Sequence, residues 1–267
     1  MPQLRDVVRI AAIGDLHYSR SAIHGSLHAL FSQISESADI LVLCGDLTDY
    51  GLPEEVRALV REMGSIKIPT VAVLGNHDFE SGQQEELRHI LLDAGVVTLD
   101  GDSTEILGIG FAGVKGFAGG FGRRALGPWG EQSIKKFVHE AVDEALKLES
   151  ALARLRNNHL IAVLHYAPIQ ATVEGEPREI FPFLGCSRLE EPLNRFPVTA
   201  VFHGHAHNGH PEGRTAKNAP VYNVSMSLMR EHFPSRPFRL FEIDMTAGGD
   251  ERRAGSDRRA LERVLNG

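Results

Sequence analysis

The chain has 267 residues, 42% hydrophobic and 24% charged, with a formal net charge of −7. That length and composition suit one large α/β domain or two small ones with a self-sufficient core, and the acidic balance argues against a general nucleic-acid-binding surface. Two cysteines, Cys44 and Cys186, make no disulfide framework. No apolar run reaches the ~18 residues of a membrane span. The start MPQLRDVVRIAAIGD lacks the basic and apolar regions of a signal peptide. The expectation is a soluble cytoplasmic protein with no membrane partner; oligomeric state leaves no signal.

In chain order, Val7 to Ile13 is a short apolar run that reads as a buried strand and ends at Asp15 and His17. A helix is predicted over His24 to Ile34, with Ile23, Leu27, Leu30, Phe31 and Ile34 on its apolar face. The second strand, Ile40 to Cys44, ends at Asp46 and Asp49, and Pro53 can open a helix carrying Val56, Leu59, Val60 and Met63. The third, Thr70 to Leu74, ends at Asn76, His77 and Asp78 and precedes a helix from Gln83 to Ala94 closed by Gly95. Alternating strands and helices indicate parallel pairing.

Gly95 to Lys115 reads as two or three short strands with a turn at Asp100-Gly101-Asp102. The glycine-rich Gly116 to Gly122 reads as a flexible loop, since it lacks the strand–helix setting of a nucleotide fingerprint. A long amphipathic helix is predicted from Trp129 to Arg156. Leu160 to Leu164 ends at His165 and is followed by a long polar, proline-bearing stretch, Ala167 to Cys186. Val198 to Phe202 ends at His203, His205 and His207, and further strands are predicted at Pro220 to Ser225 and Phe238 to Met245. Two packed mixed sheets flanked by helices, an α/β/β/α sandwich over residues 1–245 followed by a charged tail over 246–267 that is expected to be a short helix or disordered, fit this order best.

Five strand ends thus deliver Asp, Asn or His. In open α/β sheets ligands collect at the carboxyl ends of the strands, so the five clusters imply one shared site. Asp15-Leu16-His17, Gly45-Asp46-Leu47-Thr48-Asp49, Gly75-Asn76-His77-Asp78, His165 and Gly204-His205-Ala206-His207 occur in that order. In these blocks the chain resembles the calcineurin-like metallophosphoesterase superfamily.

The resemblance implies two divalent transition-metal ions. One would take Asp15, His17, Asp46 and His207, the other Asp46, Asn76, His165 and His205, with Asp46 bridging. Oxygen and imidazole donors without thiolate suit Mn, Fe or Zn. With both ions and a bridging hydroxide the site would keep a formal charge of about +1, enough to draw in a phosphate. The hydroxide would attack phosphorus in line. His77 would donate to the leaving oxygen, Asp78 would accept the other N–H of its ring, and Asp49 would fix the loop carrying Asp46.

Single buried Asp and His residues are often plain turn or core groups; His24, His28, His89, His139 and His159 read as solvated positions on helices or a strand entry, His203 as a satisfied core group, and for His210 surface and near-site readings are equal. Asp49 is followed by Tyr50-Gly51 and not by the Arg-Gly of the family's protein phosphatases, and the compact plan resembles the bacterial phosphodiesterase branch, which includes cyclic-nucleotide hydrolases. The expected partner is a small phosphate ester, a cyclic nucleotide or another diester. A phosphomonoesterase acting on a small molecule or phosphoprotein is the alternative, and a non-catalytic scaffold is a minor one that the complete ligand set disfavours. Recognition is expected from the two stretches Gly116–Arg124 and Ala167–Cys186, through Arg178 and Phe181.

Overall fold

Alternation of buried side chains decides the layering. In β1 (Val7–Ile13), Val8, Ile10 and Ala12 enter one core while Ala11 and Ile13 enter another. Ile40, Val42 and Cys44 part from Leu41 and Leu43 in the same way. A strand buried on both faces needs a layer on each. The computed structural model, which describes residues 6–246, supplies them.

After β1 the chain forms α1 (His28–Ser37), β2 (Ile40–Cys44), α2 (Pro53–Glu62), β3 (Thr70–Val73), α3 (Gln84–Asp93), β4 (Val96–Thr98), β5 (Asp102–Ile106), β6 (Ile109–Val114) and α4 (Gln132–Arg154). It continues through β7 (His159–Leu164), α5 (Phe181–Leu184), α6 (Glu190–Arg195), β8 (Ala200–His203), β9 (Glu212–Arg214), β10 (Pro220–Asn223), α7 (Met226–His232) and β11 (Arg239–Asp244). One sheet has the order β11-β1-β2-β3-β4, parallel except for β11. The other has the order β5-β6-β7-β8-β10-β9, with antiparallel strands only at its edges. Ile10, Val42 and Val71 meet Phe111, Val163 and Phe202 between the sheets. Phe31, Leu59 and Leu87 of α1, α2 and α3 cover the outer face of the first sheet, and Leu148, Leu152 and Leu193 of α4 and α6 cover that of the second. This is the expected α/β/β/α sandwich.

At their carboxyl edge the sheets are stitched together. Gly14 N–H donates to the Val224 carbonyl at 2.8 Å, and Met226 N–H donates to the Gly14 carbonyl at 2.9 Å. Loops leaving β1 and β10 therefore share one space.

The structure differs from the sequence reading in four places. Helix α1 starts at His28, not His24, and Ile23 is 80% exposed. Gly25 at φ +85° interrupts the turn, and the buried Glu62 carboxylate takes the N–H groups of Gly25 and Leu27. Helix α4 starts at Gln132, leaving Trp129 outside it. The stretch Ala167–Cys186 contains short helical turns at Gln170–Thr172, Arg178–Ile180 and Phe181–Leu184. Strand β9 and helices α6 and α7 are additional to the predicted elements. Of the expected tail, all but Thr246 lies outside the described residues. Among the described residues, no helix is long and apolar enough to cross a membrane.

Candidate metal centre

Four of the seven proposed ligands have left-handed backbones: Asp15 at φ 57°, His17 at 43°, Asp46 at 47° and His205 at 70°. Such angles are uncommon outside glycine. Here they turn side chains two residues apart toward one point. The motif glycines give them room. A Cβ on Gly45 would come within 2.6 Å of the His165 ring, one on Gly75 would overlap the Asp46 carboxylate, and one on Gly204 would overlap that of Asp15.

The side chains converge in two groups. Asp15, His17 and His207 form one, and Asp46, His165 and His205 form the other, each compact enough to hold a metal ion. His207 Nε2 lies 3.1 Å from Asp15 Oδ1 and 3.4 Å from His17 Nε2. His165 Nε2 lies 2.9 Å from the Asn76 side-chain oxygen and 3.4 Å from Asp46 Oδ1. Asp46 faces both ways, since its Oδ2 is 3.8 Å from His17 Nε2.

Backbone carbonyls fix two rings. His165 Nδ1 is 2.9 Å from the Cys44 carbonyl, which leaves Nε2 aimed into the centre. His205 Nε2 is 3.2 Å from the Phe183 carbonyl, which leaves Nδ1. Burial and the neighbouring His165 push the His205 pKa down to about 3, so this imidazole is neutral at pH 7. Burial would also lower the His165 pKa, but the Asp46 carboxylate outweighs it and pushes the value up to about 9. Burial raises the Asp46 pKa, yet the charge and hydrogen bond of His165 hold it well below the usual carboxylate range.

Asp78 takes the loop-fixing role expected of Asp49, and the His77 ring meets the backbone of Asp49 and not a carboxylate. Asp78 was to accept from the His77 ring. Instead its fully buried carboxylate takes Leu47 N–H at 3.1 Å, Thr48 N–H at 2.9 Å, the Thr48 hydroxyl at 2.7 Å and Gly75 N–H at 2.8 Å. It clamps the Asp46 loop to the Asn76 loop. Burial and Asp46 push its pKa up to about 6, while the four donors favour the ionised form. The partner of His77 Nδ1 is the Asp49 carbonyl, at 2.7 Å. The Asp49 carboxylate lies 3.4 Å from His17 Nδ1 and 3.9 Å from His77 Nδ1. His17, Asp49 and His77 form a third compact group that shares His17 with the first.

The calcineurin-like phosphoesterase family matches residues 8–209, a span that contains every residue of this centre. The chain belongs to that family. Membership makes it a phosphoric ester hydrolase of a metal-dependent class. The phosphoesterase is similar to a probable glycerophosphodiester phosphodiesterase, GpdQ, of Arcobacter nitrofigilis, at 24% identity over 211 residues, 74% of this chain and 68% of the relative. Its fold is shared with a protein of Thermus thermophilus at a TM-score of 0.51 and 16% identity, over 89% of this chain and 99% of the other. It is also shared with the purple acid phosphatase PPD1 of yellow lupin at a TM-score of 0.53 and 17% identity, over 82% of this chain and 44% of the other.

Several groups that support the phosphoesterase's centre were not singled out from sequence. Asn223 at the end of β10 donates to the Ala206 carbonyl at 2.7 Å, holding the residue between His205 and His207. It closes an apolar run as the ligands do, so that signal was present. The Cys44 and Phe183 carbonyls carry no sequence signal, because every residue has a carbonyl. His203 is a satisfied core group, 2.8 Å from the Thr172 hydroxyl and 2.8 Å from the Gly204 carbonyl, with burial pushing its pKa down to about 4. His210 is exposed and its Nδ1 meets the Glu212 carbonyl.

Proposed function

We propose that the chain is a dinuclear metal-dependent phosphodiesterase. The observation that carries this is the pair of side-chain groups with Asp46 between them and His77 beside them. Asp15, His17, Asp46 and His207 would hold one divalent ion, and Asp46, Asn76, His165 and His205 the other. The donor set fits: carboxylate, amide oxygen and imidazole suit Mn, Fe or Zn, and the three motif glycines leave space that a Cβ would fill. When bound, the ions supply Lewis acidity and a nucleophile usable at neutral pH.

The chain's own residues do the rest. With Nδ1 engaged by the Asp49 carbonyl, His77 presents Nε2 to the substrate and can hold a proton against the leaving oxygen. His77 is part-exposed, so an ester can reach it. The backbone N–H of His77 donates to Asp46 Oδ1 at 2.9 Å, which ties the residue carrying the proton donor to the bridging carboxylate. Preference for diesters rests on the likeness to the glycerophosphodiester phosphodiesterase, and cyclic nucleotides fall within that class. The test is turnover of a panel of diesters and monoesters with Mn, Fe or Zn supplied. Faster hydrolysis of diesters is expected; hydrolysis of monoesters alone would make the chain a phosphomonoesterase.

A further inference from the structure

Two loops border the metal centre, and their backbones are bonded together. Gly119 N–H donates to the Pro182 carbonyl at 2.7 Å, Gly120 N–H to the Gly185 carbonyl at 2.9 Å, and Ser187 N–H to the Gly120 carbonyl at 3.1 Å. Between these loops and the first turns of α4 lies a cavity of about 680 Å³. Small-molecule sites span ~300–1,000 Å³ and are mostly apolar with a few placed polar groups. Phe121, Ile134, Phe137, Phe181 and Pro182 form its walls. Phe183 lines it too, and the Phe183 carbonyl is the group that meets His205 Nε2. Phe183 therefore stands between the cavity and His205.

Its surroundings expose apolar surface. Leu126, Ile180 and Phe183 are exposed, and Trp129, between Leu126 and α4, is 73% exposed. These are four of the ten large hydrophobic residues exposed among the described residues, gathered on the loops that build one cavity. Concentrated apolar exposure marks a binding site, whereas scattered exposure does not. Two cations stand in the same lining, Arg124 and Arg178. Among the described residues neither guanidinium has a hydrogen bond or ion pair. An apolar hollow lined by unpaired guanidiniums, one residue away from His205, is complementary to an amphiphile.

We propose that this cavity is the subsite for the apolar part of the substrate, which is then a phosphate ester of a hydrophobic alcohol whose anionic portion faces Arg124 and Arg178. This rests on the phosphodiesterase reading above. The test uses glycerophosphodiesters of methanol, butanol and octanol with the metal-loaded enzyme, following release of glycerol and glycerol phosphate. Each buried methylene is worth up to about fourfold in binding, so kcat/KM for the octyl ester should exceed that for the methyl ester by at least about tenfold. Ser133 is an exposed residue of the lining, and Ser133→Trp, which puts an indole into part of the cavity, should lower the octyl-to-methyl ratio toward one. A turnover-free arm measures displacement of bound 8-anilinonaphthalene-1-sulfonate from the wild-type protein by octylphosphonate and by methylphosphonate; only the former should displace it. Turnover with no chain-length dependence would overturn the subsite and leave the phosphodiesterase reading intact, as would a ratio unchanged in Ser133→Trp. No turnover of any ester by metal-loaded protein would sink the phosphodiesterase reading. The displacement arm would then decide the cavity: octyl-selective displacement keeps it as an amphiphile site, and equal or absent displacement removes it.

Discussion

Substituting Asp78→Asn separates two accounts of that carboxylate. Its Oδ2 accepts from Leu47 and Gly75, and its Oδ1 accepts from both the N–H and the hydroxyl of Thr48. The new amide nitrogen must face one of these pairs. The Thr48 side is less costly, because a hydroxyl can rotate to accept. The Thr48 N–H is then left against a donor in a fully buried site, at about 1–3 kcal/mol. Loss of the negative charge weakens the remaining bonds to Leu47 and Gly75 by on the order of 1 kcal/mol. The sum is about 2–4 kcal/mol. For a domain of this size each kcal/mol moves Tm by about 2–4 °C, so a fall of roughly 4–16 °C is expected in the metal-free protein. Metal content should fall as well, since the Asp46 and Asn76 loops lose their clamp. The assay is thermal unfolding with elemental analysis beside kcat. If Asp78→Asn keeps Tm and both metals while kcat drops, Asp78 acts on His77 and the clamp reasoning is wrong.

Three further outcomes are expected. The loaded wild-type protein should contain close to two transition-metal ions by elemental analysis, and Asp46→Asn should lose more metal than substitution of any other ligand, because both ions share it. His77→Ala should retain its metals while kcat falls by about 10²–10⁴-fold, with a smaller loss on nitrophenyl esters, whose leaving oxygen hardly needs a proton; loss of metal would make His77 a ligand. Gly75→Ala, which pushes a methyl group into the Asp46 carboxylate, should lower metal content even though it removes no ligand, and full occupancy in that variant would show that the loop yields more easily than its geometry implies.

The sandwich and the gathering of strand ends were legible because they follow from period-two apolar runs and from residue types repeated after each run. Gly95 closing α3 and Pro53 opening α2 follow from backbone chemistry in the same way. Helix α1 was misplaced at its start because what sets it, Glu62, is 37 residues beyond Gly25 in the chain. The roles of Asp49 and Asp78 could not be separated in sequence. Both stand next to the right residues, and only the fold of the 3₁₀ turn at His77–Phe79 buries one carboxylate and leaves the other facing the histidines. Two of the cavity's walls come from the two stretches expected to carry recognition; the third, from Ser133, Ile134 and Phe137 at the start of α4, could not be read in sequence because it is brought there from a distant segment.

The left-handed angles at Asp15, His17, Asp46 and His205 bear on how such a protein evolves. A side chain in that conformation costs up to about 1–2 kcal/mol, less for Asp and His than for bulkier residues, where glycine costs little. Four such positions represent several kcal/mol against a typical total stability of ~5–15 kcal/mol. Under selection for folding alone, glycine or asparagine would be favoured at each of them, and the centre would be among the first features to disappear. A lineage released from the need for hydrolysis should therefore show drift at these four codons before its core changes. Thermostability screens run without an activity readout should recover the same substitutions.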